Sequence, residues 1–94
     1  DENVWLTQKS MAQLFECSID NISLHLKNIF KDGELVPEAV IEESSATASD
    51  GKQYKTKFYN LDAVISVGYR INSLRATQFR QWATKVLRTY TVQG

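Results

Sequence analysis

The sequence predicts a mainly helical α+β domain, and three observations lead there. Thr7 to Phe30 contains two short amphipathic helices joined by a three-residue turn, a basic alternating strand follows about twenty residues later, and the last part of the chain repeats apolar residues at helical spacing. That order is the one expected of a winged helix-turn-helix with a two-stranded wing and a C-terminal pair of helices. The 94 residues form one such domain, residues 1–94. A chain of this length buries roughly two-thirds of the surface that the open chain exposes.

Val4 to Leu6 is a brief extended stretch, after which Thr7 caps a helix whose inward positions are Met11, Leu14 and Phe15, with Ala12 small enough for close contact. Glu16-Cys17-Ser18 breaks that helix and leaves Ser18 to cap the next, in which Ile19, Ile22, Leu26 and Ile29 recur on one side. Glu16 in such a turn costs up to about 1 kcal/mol wherever the backbone takes positive φ. Gly33 supplies the left-handed stop of the second helix. After Pro37, Ala39 to Glu43 is expected to be extended, and Ser44 to Gly51 a polar loop ending in the turn signal Ser49-Asp50-Gly51-Lys52. Gln53 to Tyr59 alternates, with Tyr54, Thr56 and Phe58 on one face and Lys55, Lys57 and Tyr59 on the other. Asn60 then caps a third, largely buried helix carrying Leu61, Val64, Ile65 and Gly68, with Asp62 in its first turn. From about Ala76 to Tyr90, the residues Phe79, Trp82, Ala83, Val86, Leu87 and Tyr90 form an apolar stripe predicted to face the core, with Arg80, Gln81, Thr84, Lys85 and Arg88 outward.

Composition narrows the function classes. The hydrophobic fraction of 43% is ordinary for a globule. No apolar run approaches the roughly 20 residues of a membrane span, and no signal peptide is written at the start, which predicts a cytoplasmic protein with no membrane partner. One Cys and one His cannot complete a four-ligand zinc site, so neither a metal nor a cofactor is expected. The four glycines are far apart and form no phosphate-cradling loop. His25 on the second helix is a half-buried packing residue, with no arrangement around it for nucleophilic catalysis, so the chain is expected not to be an enzyme. It begins without Met and stops just after a long helix, as an N-terminal fragment of a larger protein would.

The charge is divided sharply along the chain. Residues 1–50 hold three Lys or Arg against ten Asp or Glu, and residues 51–94 hold eight against one, so the net zero covers halves of about minus and plus seven. In a helix-turn-helix, the second helix offers its start and outer face to base edges, here Ser18, Asn21, Ser23, Leu24 and Lys27. Asn21 is the best of these, because Asn holds adenine through two hydrogen bonds. Ser18 and Asp20 have a local reading as cap and dipole-compensating carboxylate. That helix has no Arg, so phosphate affinity is expected from Lys52, Lys55 and Lys57 on the wing, with Arg75 and Arg80 extending the positive track. The bland alternative is that these cations pair with the acidic half, within one molecule or head to tail between two.

The blocks NISLHLKNIFKDGEL from Asn21 to Leu35, YNLDAVISVGYRINS from Tyr59 to Ser73 and TQFRQWATKVL from Thr77 to Leu87 resemble the N-terminal domain of RhuM-type virulence proteins. The resemblance runs from about Leu6 to Gly94. It implies a bacterial or prophage-borne cytoplasmic protein of pathogenicity islands and mobile elements, whose first domain binds DNA and whose remainder is separate. Ile19 and Asp20 stand where a base reader would have basic or amide residues. The expectation is therefore a DNA-binding, transcription-regulator-like domain contacting duplex DNA through helix 18–30 and a basic wing near 52–57. The second reading is a protein-interaction or dimerisation module on the same fold, with the oppositely charged halves making a homo-oligomer.

Overall fold

The computed structural model of the chain describes residues 4–93, with side chains from residue 4 to residue 90. The architecture is mixed α+β and predominantly helical. In chain order it runs β1 (Trp5–Leu6), α1 (Gln8–Phe15), α2 (Ile19–Lys31), α3 (Pro37–Val40), β2 (Ile41–Thr47), β3 (Gln53–Asn60), α4 (Leu61–Arg70) and α5 (Leu74–Gln93). The strands form one antiparallel sheet in the order β1-β3-β2.

Local chemistry sets the helix ends. The Thr7 hydroxyl accepts from the Ser10 amide, the Ser18 hydroxyl from the Asn21 amide and the Asn60 side chain from the Ala63 amide, at 3.0, 3.0 and 3.2 Å. Each bond satisfies an amide that a helix start leaves without an intrahelical partner. Glu16 closes α1 at φ 54°, the left-handed region, while the Cys17 amide donates to the Ala12 carbonyl at 3.0 Å. Gly33, at φ 75°, does the same for α2, with the Gly33 and Glu34 amides donating to the carbonyls of Phe30 and Ile29. These two sharp stops orient α1 and α2 relative to each other and to the strands and helices after them.

Met11, Phe15, Ile22, Ile29, Ala63 and Val67 are fully buried at the centre of the core, which α1, α2, α4, Val40 and Tyr59 build together. Burial of each large apolar side chain stabilises the fold by roughly 1.5–3 kcal/mol. Gln8 donates to the Tyr59 hydroxyl at 3.0 Å, tying α1 to β3. Ser73 joins two elements at once: its hydroxyl donates to the Phe15 carbonyl at 2.8 Å and accepts from the Ala76 amide at 3.0 Å. It thereby anchors the start of α5 on the end of α1.

Three expectations are corrected. Ala39 and Val40 are not extended but belong to the short helix α3, which Pro37 starts because its fixed φ and missing N–H suit a first helical position. Ser44 to Thr47 is not loop: β2 pairs with β3 from Ile41↔Tyr59 to Thr47↔Gln53, because β3 offers a continuous ladder that outweighs the weak strand propensity of Ser and Ala. The third correction concerns α5. It starts at Leu74 and only its first turns reach the core, through Ala76, Phe79 and Ala83, whereas Trp82, Leu87 and Tyr90 are 58%, 63% and 70% exposed. The helical period is right and the burial is not, since the body of the molecule ends before the stripe does. The Cα radius of gyration of 15.0 Å exceeds the 12–13 Å or so of a compact domain of this length, in keeping with a hairpin and a helix that both project.

Candidate nucleic-acid interface

The outer face of α2 begins with a capped start. Ser18 is the cap itself, so its hydroxyl is already engaged by the Asn21 amide. At about 100° per residue, Ser23, Leu24 and Lys27 share one side of α2 with Asp20 and Lys31, opposite Ile22, Leu26 and Ile29. All five of those outward residues are exposed. Asn21 is not among them: it is half-buried on the flank it shares with His25 and Asn28. The face is therefore mixed, with one carboxylate, two ammonium groups, a hydroxyl and an isobutyl group.

The hairpin is the barest part of the chain. Every residue from Glu42 to Thr47 and from Gln53 to Lys57 is exposed. Its tip is ordered by its own polar groups: Asp50 accepts from the Lys52 amide at 3.0 Å and from the Tyr54 hydroxyl at 3.2 Å, and Gly51 turns the chain at φ 83°. Lys55 and Lys57 are on the face that also carries Tyr59, with Ser45 and Glu43 as their cross-strand neighbours. Among the described residues, Lys52, Lys55 and Lys57 form no ion pair. Tyr54, Thr56 and Phe58 occupy the opposite face, as the alternation predicts.

The arginines behave differently. Arg70 bridges Asp32 and Glu34 at 3.2 and 2.8 Å, clamping α4 to the end of α2. Its two hydrogen bonds raise the guanidinium pKa, and their counterpart holds the Glu34 carboxyl below the usual range. Arg75 lies 3.7 Å from Glu16 in a well-exposed pair, a contact of little energetic weight. Arg80, expected to face outward, instead folds back. Its guanidinium donates to the carbonyls of Gly68 and Ile71 at 2.7 and 3.0 Å and to the Thr77 hydroxyl at 3.0 Å, which satisfies carbonyls at the end of α4. Part of the charge division along the chain is thus resolved internally, through Arg70 and Arg75. Asp1 and Glu2 lie outside the described residues.

Two titratable groups beside this surface are perturbed. Burial and the neighbouring Arg70 hold the His25 imidazole below its ordinary value, and burial pushes the Cys17 thiol up, away from the thiolate form that reacts. Among the described residues no group of three His, Cys, Asp or Glu is placed to hold a metal ion, and no helix is long and apolar enough to cross a membrane. Sequence reasoning did not anticipate Ser73 as a double anchor or Arg70 as a clamp, because both depend on partners more than thirty positions away.

Residues 39–94 match the sequence model of the virulence protein RhuM family, a span that takes in the hairpin, α4 and α5. No curated protein and no solved structure matches the chain.

Proposed function

We propose that this chain, which belongs to the virulence protein RhuM family, is a DNA-binding, regulator-like module of winged helix-turn-helix type with no catalysis of its own. Support for the fold assignment comes from the order of the elements. A helix pair with a left-handed turn between them, a β1-β3-β2 sheet and a protruding hairpin are arranged as a reader helix and wing would be. The observation that carries the functional reading is the hairpin. Three lysines at positions 52, 55 and 57 are exposed and form no ion pair with the described acids, and such cations are the main source of affinity for a polyphosphate backbone.

In this reading Ser23, Leu24 and Lys27 face the major groove, with Asn21 contacting it from the flank of α2 and Ser18 holding the helix start in register. Lys52, Lys55 and Lys57 hold the neighbouring backbone. Arg75 adds to the positive track once its exposed pair with Glu16 opens, whereas Arg80 contributes through α4 rather than through phosphate. With so little amide or guanidinium chemistry on the outer face of α2, electrostatic attachment outweighs base readout.

The test is duplex affinity across a salt series for the protein and for the Lys52→Ala, Lys55→Ala, Lys57→Ala triple variant. Each lysine that neutralises a phosphate contributes about 0.9 to the slope of log affinity against log salt, so the triple variant should lose roughly 2.7. An unchanged slope and affinity would remove the hairpin from the interface and the proposal with it.

A further inference from the structure

We infer that the exposed stripe of α5, together with the groove it forms against α4, is a self-association surface that takes a second copy of this chain. The groove has a volume of about 200 Å³ and is lined by Leu61, Ile65 and Tyr69 of α4 and Trp82, Val86 and Leu87 of α5, with Ala83 at its floor. Tyr90 continues the stripe one turn further. Tyr69, Trp82 and Tyr90 are 48%, 58% and 70% exposed.

Area selects the occupant. Three rings of about 150–250 Å² each, roughly half to two-thirds exposed, offer on the order of 350 Å². With the flanking aliphatic side chains this reaches the upper part of the roughly 300–600 Å² that the largest apolar patch of a monomer covers, a size that is often functional. Two such faces together bury on the order of 1,000 Å², the lower bound of a specific interface. Charge selects it as well. From Trp82 onward the stripe carries no ionic group; Arg88 points about 170° away from its centre, and Lys85, about 130° away, lies on the flank that borders Tyr69. Two copies related by a two-fold axis therefore bring apolar surface onto apolar surface, with Lys85 at the solvated rim and Arg88 turned away. This interface is separate from any pairing of the acidic and basic halves, and it does not require DNA.

Sedimentation velocity of the protein over a concentration series, without duplex, tests this. The expected result is a concentration-dependent dimer that is undiminished at about 1 M salt, where the Debye length falls to about 3 Å and charge pairing between halves would dissolve. Trp82→Asp and, separately, Tyr90→Glu should each weaken the dimer by about thirtyfold or more, as removal of an interface anchor does, with the helical circular dichroism retained. Leu74→Asp, 74% exposed and off the stripe, should leave it unchanged. A protein that stays monomeric at about 100 μM, a dimer lost at high salt, or a dimer indifferent to both stripe substitutions overturns the inference. None of these outcomes bears on duplex affinity, so this inference and the DNA reading fail separately.

Discussion

Arg80→Ala separates a structural arginine from a nucleic-acid contact. The guanidinium donates to two main-chain carbonyls and one hydroxyl, all within 3.0 Å, at the point where α4 stops and the chain turns towards α5. A hydrogen bond from a charged donor contributes about 1.5–3 kcal/mol when its loss leaves a partly buried acceptor unsatisfied. Placing a cation at a helix C-terminus adds about 0.3–1 kcal/mol. Water reaches this half-buried site and takes over part of what is lost, which brings the expected destabilisation to about 2–3 kcal/mol. For a domain of this size that corresponds to a melting temperature lowered by roughly 8–24 °C. Arg80→Lys should recover only part, because one guanidinium nitrogen serves both carbonyls while the other reaches the Thr77 hydroxyl, a fork that a single ammonium lacks. Thermal unfolding followed by circular dichroism measures the first quantity, and duplex affinity at a temperature where the variant is folded measures the second. A variant that melts within about 1 °C of the parent but binds duplex far more weakly would refute the capping argument.

Glu16→Gly should raise stability by up to about 1 kcal/mol, because it relieves the left-handed backbone at φ 54° and gives up only an exposed ion pair to Arg75. A fall in the urea midpoint would mean that the pair outweighs the backbone strain. His25 supplies a pH test. Its folded-state pKa lies below the unfolded value, so the folded chain binds fewer protons beneath about pH 6.5 and stability falls as pH drops through that value, levelling off below the folded pKa. His25→Gln should flatten urea stability between about pH 7.5 and 5.5. Glu34 is depressed in the folded state and so loses its contribution only on acidification below about pH 4.3, which keeps the two windows apart.

The parts of the fold legible in the sequence were those governed by neighbours in the chain. Thr7, Ser18, Asn60 and Gly33 act within four residues of themselves, and each does what its side chain or its lack of one predicts. The strand alternation from Gln53 to Tyr59 was likewise readable, because side-chain direction follows from the pleat alone. What could not be read was which apolar surface finds a partner. The stripe from Phe79 to Tyr90 has an uninterrupted helical period, yet periodicity gives the face of a helix and says nothing of what lies opposite it. The hairpin failed for a related reason: Ser44 to Thr47 joins a strand because Gln53 to Phe58 is there to pair with it. At the candidate interface, residue type suggested Asn21 and Arg80 as contacts, while the geometry turned one to a flank and folded the other onto a carbonyl pair.

The direction of α5 depends on a missing carbon. A methyl group at Gly68 would come within 2.8 Å of the Phe79 ring and 3.0 Å of Phe15, so the crossing of α4 and α5 is as close as it is only because glycine is there. Phe79 is near the root of a rod that continues for about 20 Å beyond it. Displacing the ring by one ångström or so tilts that rod by several degrees and carries its far end sideways by about 2–4 Å, more than a packed seam of side chains tolerates. Gly68→Ala would therefore act at a distance, misaligning Tyr90 against whatever it meets while leaving Tyr90 itself untouched. A single hydrogen atom in place of a side chain thus sets the aim of the longest helix in the molecule.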